Sequence, residues 1–173
     1  MFTLYYQITR DYWESTQFFI LRNMNKGKWR WVGDVMCVEC SKTRRAYVIC
    51  DYIDEEAVPI AWVSLKRKWK AFEVEQTYVL KPYRGNGYAE KLYEAVVKDG
   101  QLLASGFCHT VHSKRLWARL IASNKLNIWA QDFHNLTKTS PVLEEDGKVI
   151  CPNLELYYEP SAWQDVRLLA WRK

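Results

Sequence analysis

Glycine and proline are scarce in this chain, with seven and five among 173 residues. Two glycines placed close together are therefore conspicuous. No apolar run approaches the ~20 residues that a membrane-spanning helix needs. The opening "MFTLYYQITR" lacks the basic and apolar regions of a signal peptide. The expectation is a soluble cytoplasmic protein. The five cysteines, Cys37, Cys40, Cys50, Cys108 and Cys151, are odd in number and irregularly spaced, which excludes a full disulfide framework and points to reduced thiols. Cys37-x-x-Cys40 has no second CxxC to complete a zinc site. Cys108, His109 and His112 are the nearest substitutes, and buried or incidental thiols are the expectation, with no metal. A Cys108–histidine nucleophile pair is equally thin. No internal repeat, low-complexity tract or linker divides the chain, so residues 1–173 are expected to form a single domain.

Aromatic residues and positive charge are plentiful. Nine tryptophans and eleven tyrosines indicate broad aromatic packing, with rings left over to line a pocket. The formal charge is +5, concentrated in "KTRR" (42–45), "KRKWK" (66–70) and "KR" (114–115). Such runs are either solvated strand ends and loops or the footprint of an anionic ligand, a phosphorylated cofactor or a nucleic acid. Composition leaves both open.

Periodicity predicts strands over 2–9, 45–53, 60–69, 71–80, 101–107, 126–134 and 153–159. Helices are predicted over 11–24 with Asp11 as cap, over 88–99, over 113–123 with Ser113 as cap, and over the tail 161–173. "KGKWRWVGD" (26–34) reads as a loop and "VMCVEC" (35–40) as a short strand or helix end; the stretch carrying Pro141 and the turn "EEDG" (144–147) reads as a loop. Along 71–80, Phe72, Val74, Tyr78 and Leu80 share one face, and Glu73, Glu75, Thr77 and Val79 the other. The order implies an α/β fold: a mixed, mostly antiparallel central sheet of six or seven strands with helices on both faces.

Gly85 and Gly87 fall where the 88–99 helix begins. Backbone N–H groups at a helix start lack intrahelical partners and lie at the positive end of the dipole. The pair is either a tight strand-to-helix turn without a ligand or a site for an anion such as a phosphate.

"TYVLKPYRGNGYAEKLY" resembles motif A of the GNAT N-acetyltransferase superfamily: a strand, a proline-containing turn, then Arg/Gln-x-x-Gly-x-Gly/Ala opening a helix. Arg84-Gly85-Asn86-Gly87-Tyr88-Ala89 fits the signature, and Val79 precedes Arg84 by five. The element order over 45–135 is similar to that fold. The texture, including the "SKRLW" helix, is also similar to small acetyltransferase-like proteins encoded by bacteriophages, which would place the protein in the host cytoplasm.

The resemblance implies acetyl-coenzyme A (acetyl-CoA) as cosubstrate. Its pyrophosphate would rest on backbone N–H groups of Gly85, Asn86, Gly87, Tyr88 and Ala89, with charge from Arg84. Pantetheine would pair with the backbone of Tyr78 and Val79, and the Val79 N–H would face the oxyanion. Family members with a glutamate base often place it about eleven residues before the motif's Arg/Gln, which here is Glu73. Glu75 lies on the same face and two residues closer, and both stand as candidates. Each could equally just pair with "KRKWK". Many members carry a thiolate-protonating tyrosine in the later helix, in a pattern like N-x-x-A-x-x-L-Y. This chain has Leu116-Trp117 there and Thr110 or Ser113 at the asparagine's place. Ser113 and Trp117 are thus expected beside the cofactor, and water, Tyr93 or a histidine would protonate sulfur.

The expected activity is acetyl-CoA-dependent N-acetyl transfer, to a protein amine sooner than to a small molecule, with RNA a lesser alternative. The protein would act away from membranes, as a monomer or homodimer. Two other classes compete: a weak or inactive GNAT-fold protein that binds CoA or a host protein, and a nucleic-acid-binding or modifying module resting on the basic clusters with Trp29, Trp31 and Trp69. Thiol release from acetyl-CoA separates enzyme from binder, and salt-dependent retention on DNA or RNA identifies the third.

Overall fold

The computed structural model describes residues 20–53, 56–106, 110–132, 139–145, 148–151, 156–157 and 166–173. The expected strand at 2–9, the Asp11 cap, Cys108 and His109 lie outside them. The helix expected over 11–24 is described over 20–25 (α1), where Ile20, Leu21 and Met24 are buried at helical spacing.

The strands are β1 (Trp29–Val32), β2 (Val35–Glu39), β3 (Arg44–Ile53), β4 (Glu56–Lys68) and β5 (Ala71–Val79). A 3-10 turn, Lys81–Tyr83, leads to α2 (Tyr88–Lys98), β6 (Leu102–Ala104), α3 (Val111–Ser123), β7 (Leu126–Asp132) and β8 (Thr139–Pro141). Then follow β9 (Leu143–Glu145), β10 (Lys148–Cys151), β11 (Leu156–Tyr157) and β12 (Val166–Arg172). Pairing runs β1-β2-β3-β4-β5-β6-β12-β7-β8, with β5 and β6 parallel and β1/β2, β2/β3, β3/β4, β6/β12, β7/β12 and β7/β8 antiparallel. The mixed, mostly antiparallel α/β class is as expected. Among the described residues the sheet has nine strands where six or seven were expected, and β11-β10-β9 make a small second sheet.

The extra strands come from segments whose local signals were outweighed. "KGKWRWVGD" contains β1, closed onto β2 through the two-residue turn Gly33-Asp34, with Val32 opposite Val35 and Gly33 at φ +65°. A glycine in that backbone region suits a two-residue hairpin. Pro141 stands in β8, the last strand of the sheet, where a missing N–H is tolerated at an edge. Of the strand expected over 153–159, Leu156–Tyr157 is present, in the second sheet. The tail is a strand rather than a helix: β12 lies between β6 and β7, and Leu168 and Ala170 are fully buried at a spacing of two.

The chain forms two compact units: residues 1–68 with 75–95, and residues 69–74 with 96–173. In the first, Ile20, Leu21 and Met24 of α1 pack with Met36, Val38, Ala46, Val48 and Trp62. In the second, Phe72, Leu103, Ala170 and Ile128 form a row across β5, β6, β12 and β7, all buried. The register puts Glu73, Ala104, Leu169 and Trp129 in the adjacent row, on the opposite face.

Candidate active site

The strand-to-helix turn is built as the glycines require. β5 ends where Leu80 N–H donates to the Ile60 carbonyl at 2.9 Å. Pro82 sits in the first turn of the 3-10 segment, where its missing N–H costs nothing. Gly85 and Gly87 have φ +88° and +74°, a backbone region that favours glycine. The first helical bond is donated by Lys91 N–H to the Gly87 carbonyl at 3.0 Å. The N–H groups of Tyr88 and Ala89 precede it, at the helix start, where backbone donors lack intrahelical acceptors. A side chain on Gly85 would meet nothing within 4 Å, and one on Gly87 would meet only Glu90 Oε2 at 3.8 Å. The loop therefore presents open backbone.

Its neighbours are held by side chains. Arg84 Nε donates to the Val79 carbonyl at 3.0 Å, with the guanidinium 5.8 Å from the centre of the Tyr78 ring. Tyr78 packs on Trp62 at 4.6 Å between centroids. Asn86 Nδ2 donates to the Tyr83 carbonyl at 3.3 Å, and Tyr83 O–H donates to Asp51 Oδ2 at 2.9 Å. That hydrogen bond to Asp51, more than burial, raises the Tyr83 phenol above its ordinary value. Lys91 pairs with Asp34. Parallel pairing of β5 with β6 covers only Ala71–Glu73, opposite Leu102–Ala104, and β5 continues through Tyr78 and Val79.

The two candidate glutamates differ. Glu75 is exposed and accepts from Arg44 Nη2 at 3.1 Å, across partly solvated side chains. Such a pair is worth less than about 1 kcal/mol. Glu73 is 6% exposed, and its Oε2 accepts from Arg167 Nη2 at 2.8 Å. The ion partners recorded for the two glutamates thus come from "KTRR" and the tail. Arg167 was missed because its segment read as a helix, and 94 residues of separation leave no local pattern.

On α3, Thr110 is the cap, accepting from the Ser113 N–H at 3.2 Å; this corrects the expected Ser113 cap. Ser113 thus lies inside the first turn of the helix, and Trp117 is buried on it, 1% exposed. His112 is exposed. Tyr93, on α2, is buried, with its hydroxyl 2.9 Å from Thr77 Oγ1; burial pushes it up to about 12, only partly offset by that bond. Protonating a thiolate from such a phenol is uphill. Burial also pushes the Cys40 and Cys50 thiols up to about 11, leaving them poorly reactive at neutral pH.

A model of the family described as "Acetyltransferase (GNAT) family" matches residues 4–119. The chain belongs to the GNAT acetyltransferase family. That span contains motif A and most of α3, and ends before β7 and β12. Three solved structures are similar. An IAA acetyltransferase from Bacillus cereus ATCC 14579 is 18% identical, covering 76% of this chain and 79% of that one, with a TM-score of 0.40. A putative acetyltransferase from the GNAT family of Bacteroides thetaiotaomicron is 12% identical over 92% and 81%, at 0.41. A GNAT-family acetyltransferase from Staphylococcus aureus Mu50 is 11% identical over 96% and 81%, at 0.39. No curated protein matches. GNAT enzymes use acetyl-CoA.

Proposed function

We propose that the protein transfers the acetyl group of acetyl-CoA to an amine, and that the acceptor is a protein amine sooner than a small molecule. The observation that carries this reading is the pair of left-handed glycines opening α2 with backbone donors ahead of its first helical bond. In this reading Gly85, Asn86, Gly87, Tyr88 and Ala89 hold the pyrophosphate through N–H groups, and Arg84 adds charge. Tyr78 and Val79 offer backbone to the pantetheine arm, with the Val79 N–H toward the oxyanion. Ser113 and Trp117 serve the cofactor from α3, Trp117 by packing. Acetyl-CoA supplies an activated carbonyl. The chain must render the amine neutral, and a carboxylate on β5 is the group suited to take its proton. Of the two, Glu73 is preferred over Glu75, because its burial spares it competition from water.

A second reading, binding without turnover, is favoured by Trp117 at the family's tyrosine place and by the pairing of Tyr93 with Thr77. Calorimetric titration with acetyl-CoA, joined to an assay of free thiol in amine-containing lysate, separates the two. Gly87→Ala should weaken acetyl-CoA at least about tenfold, because φ +74° opposes a side chain and the donors shift. Unchanged affinity in the folded variant would remove the pyrophosphate assignment. Binding without thiol release would select the second reading.

A further inference from the structure

The Glu73–Arg167 pair is a buried ion pair that links β5 to β12. Buried ion pairs are weak stabilisers, and well-packed apolar residues often replace them without loss. Here the guanidinium side chain is 11% exposed, the carboxylate side chain 9%, and Arg167 Nε–H is buried with no hydrogen-bond acceptor among the described residues. The sheet explains how the groups meet. Glu73 on β5 is level with Ala104 on β6, which is level with Leu169 on β12; Arg167 is two residues along β12, on the same face. On the intervening strand the position level with Glu73 is Ala104, whose side chain is a single methyl.

Resting on the reading of Glu73 as the base, we propose that Arg167 is its positioning residue, holding the carboxylate in one orientation for the acceptor nitrogen. During acetyl transfer the acceptor nitrogen forms its bond to the acyl carbon, the carbon–sulfur bond breaks, and sulfur keeps the electron pair. The proton released from nitrogen goes to the Glu73 carboxylate, directly or through a water, and then to solvent. A buried carboxylate is ordinarily paired, and Arg167 is the recorded ion partner of this one. The spare Nε–H is placed to hold that water, since buried donors are ordinarily satisfied. Among the described residues, the neighbouring strands also carry Asp132 on β7, opposite Val166, Glu75 on β5, held by Arg44, and Arg172 at the far end of β12. The buried face of α3 is Leu116, Trp117, Leu120 and Ile121.

The test compares wild type with Arg167→Met and Arg167→Lys, the second guarding against a fold lost with the first. Protonation of Glu73 is followed by its carboxyl infrared band, identified by subtraction of the Glu73→Gln spectrum, so turnover is not required. In Arg167→Met the band should appear at higher pH than in wild type, with Arg167→Lys in between. The acid limb of the pH–rate profile should shift the same way, lowering turnover at pH 6 by about tenfold or more while the high-pH plateau and acetyl-CoA affinity stay within a few-fold. A structural role would move the band but lower the plateau and leave the acid limb of the rate profile in place, and that outcome overturns the proposal. The base assignment fails separately, if Glu73→Gln keeps the wild-type limb.

Discussion

Trp69 stands at φ +57° in the two-residue turn between β4 and β5, with 80% of its surface exposed. A bulky residue in that region is strained by about 1–2 kcal/mol, whereas asparagine tolerates it. With so little burial to lose, Trp69→Asn should stabilise the protein by about 0.5–1 kcal/mol, read as a higher urea midpoint at unchanged slope. A lower midpoint would show that the indole holds contacts worth more than the strain. At this scale the sequence is legible where a residue acts through its own backbone. Gly85 and Gly87 could be read because positive φ is a local demand. Glu73 could be picked out on its strand, but Arg167 could not be assigned to it, since an ion partner 94 residues away has no trace in the spacing.

Elements were legible where their periodicity was strong and their partners close in the chain, as in α2, β3, β4 and β5. The tail shows the opposite case. "SAWQDVRLLAWRK" has apolar residues at both helical and strand spacing, and the decision lies with its neighbours. β6 and β7 both offer open strand edges to it, and antiparallel pairing with each satisfies the backbone that a helix would otherwise have satisfied internally. Trp171 then comes within 5.9 Å of Trp129, a diagonal pair across β12 and β7. Alternation gives the test. Leu168→Ala, at a fully buried position, should cost about 2–5 kcal/mol, and Leu169→Ala, half-buried on the other face, markedly less. Equal losses measured by chemical denaturation would contradict a strand with one packed face.

Over the whole molecule 25 basic residues outnumber 20 acidic ones, and the pairing of β3 with β4 concentrates part of that excess. Arg44 lies opposite Lys66, and Arg67 N–H donates to the Thr43 carbonyl at 2.7 Å, so "KTRR" and the start of "KRKWK" form one exposed cluster. Glu75 offsets Arg44, leaving Lys42, Lys66 and Arg67 as sources of a positive field. Such a field attracts an acceptor whose amine sits among acidic or phosphate groups and repels a small polycation. The proposed preference for a macromolecular acceptor follows from that sign. Acetylation of an acidic protein should slow several-fold between about 0.05 M and 0.5 M salt as the screening length shortens, while spermidine gains or stays level. Lys42→Glu with Arg67→Glu should reproduce the slowing at low salt and leave acetyl-CoA affinity unchanged, since neither residue belongs to the proposed cofactor loop. Efficient acetylation of spermidine or an aminoglycoside, with none of any protein or RNA, would defeat the preference and make the cluster a solvated face with no part in choosing the acceptor.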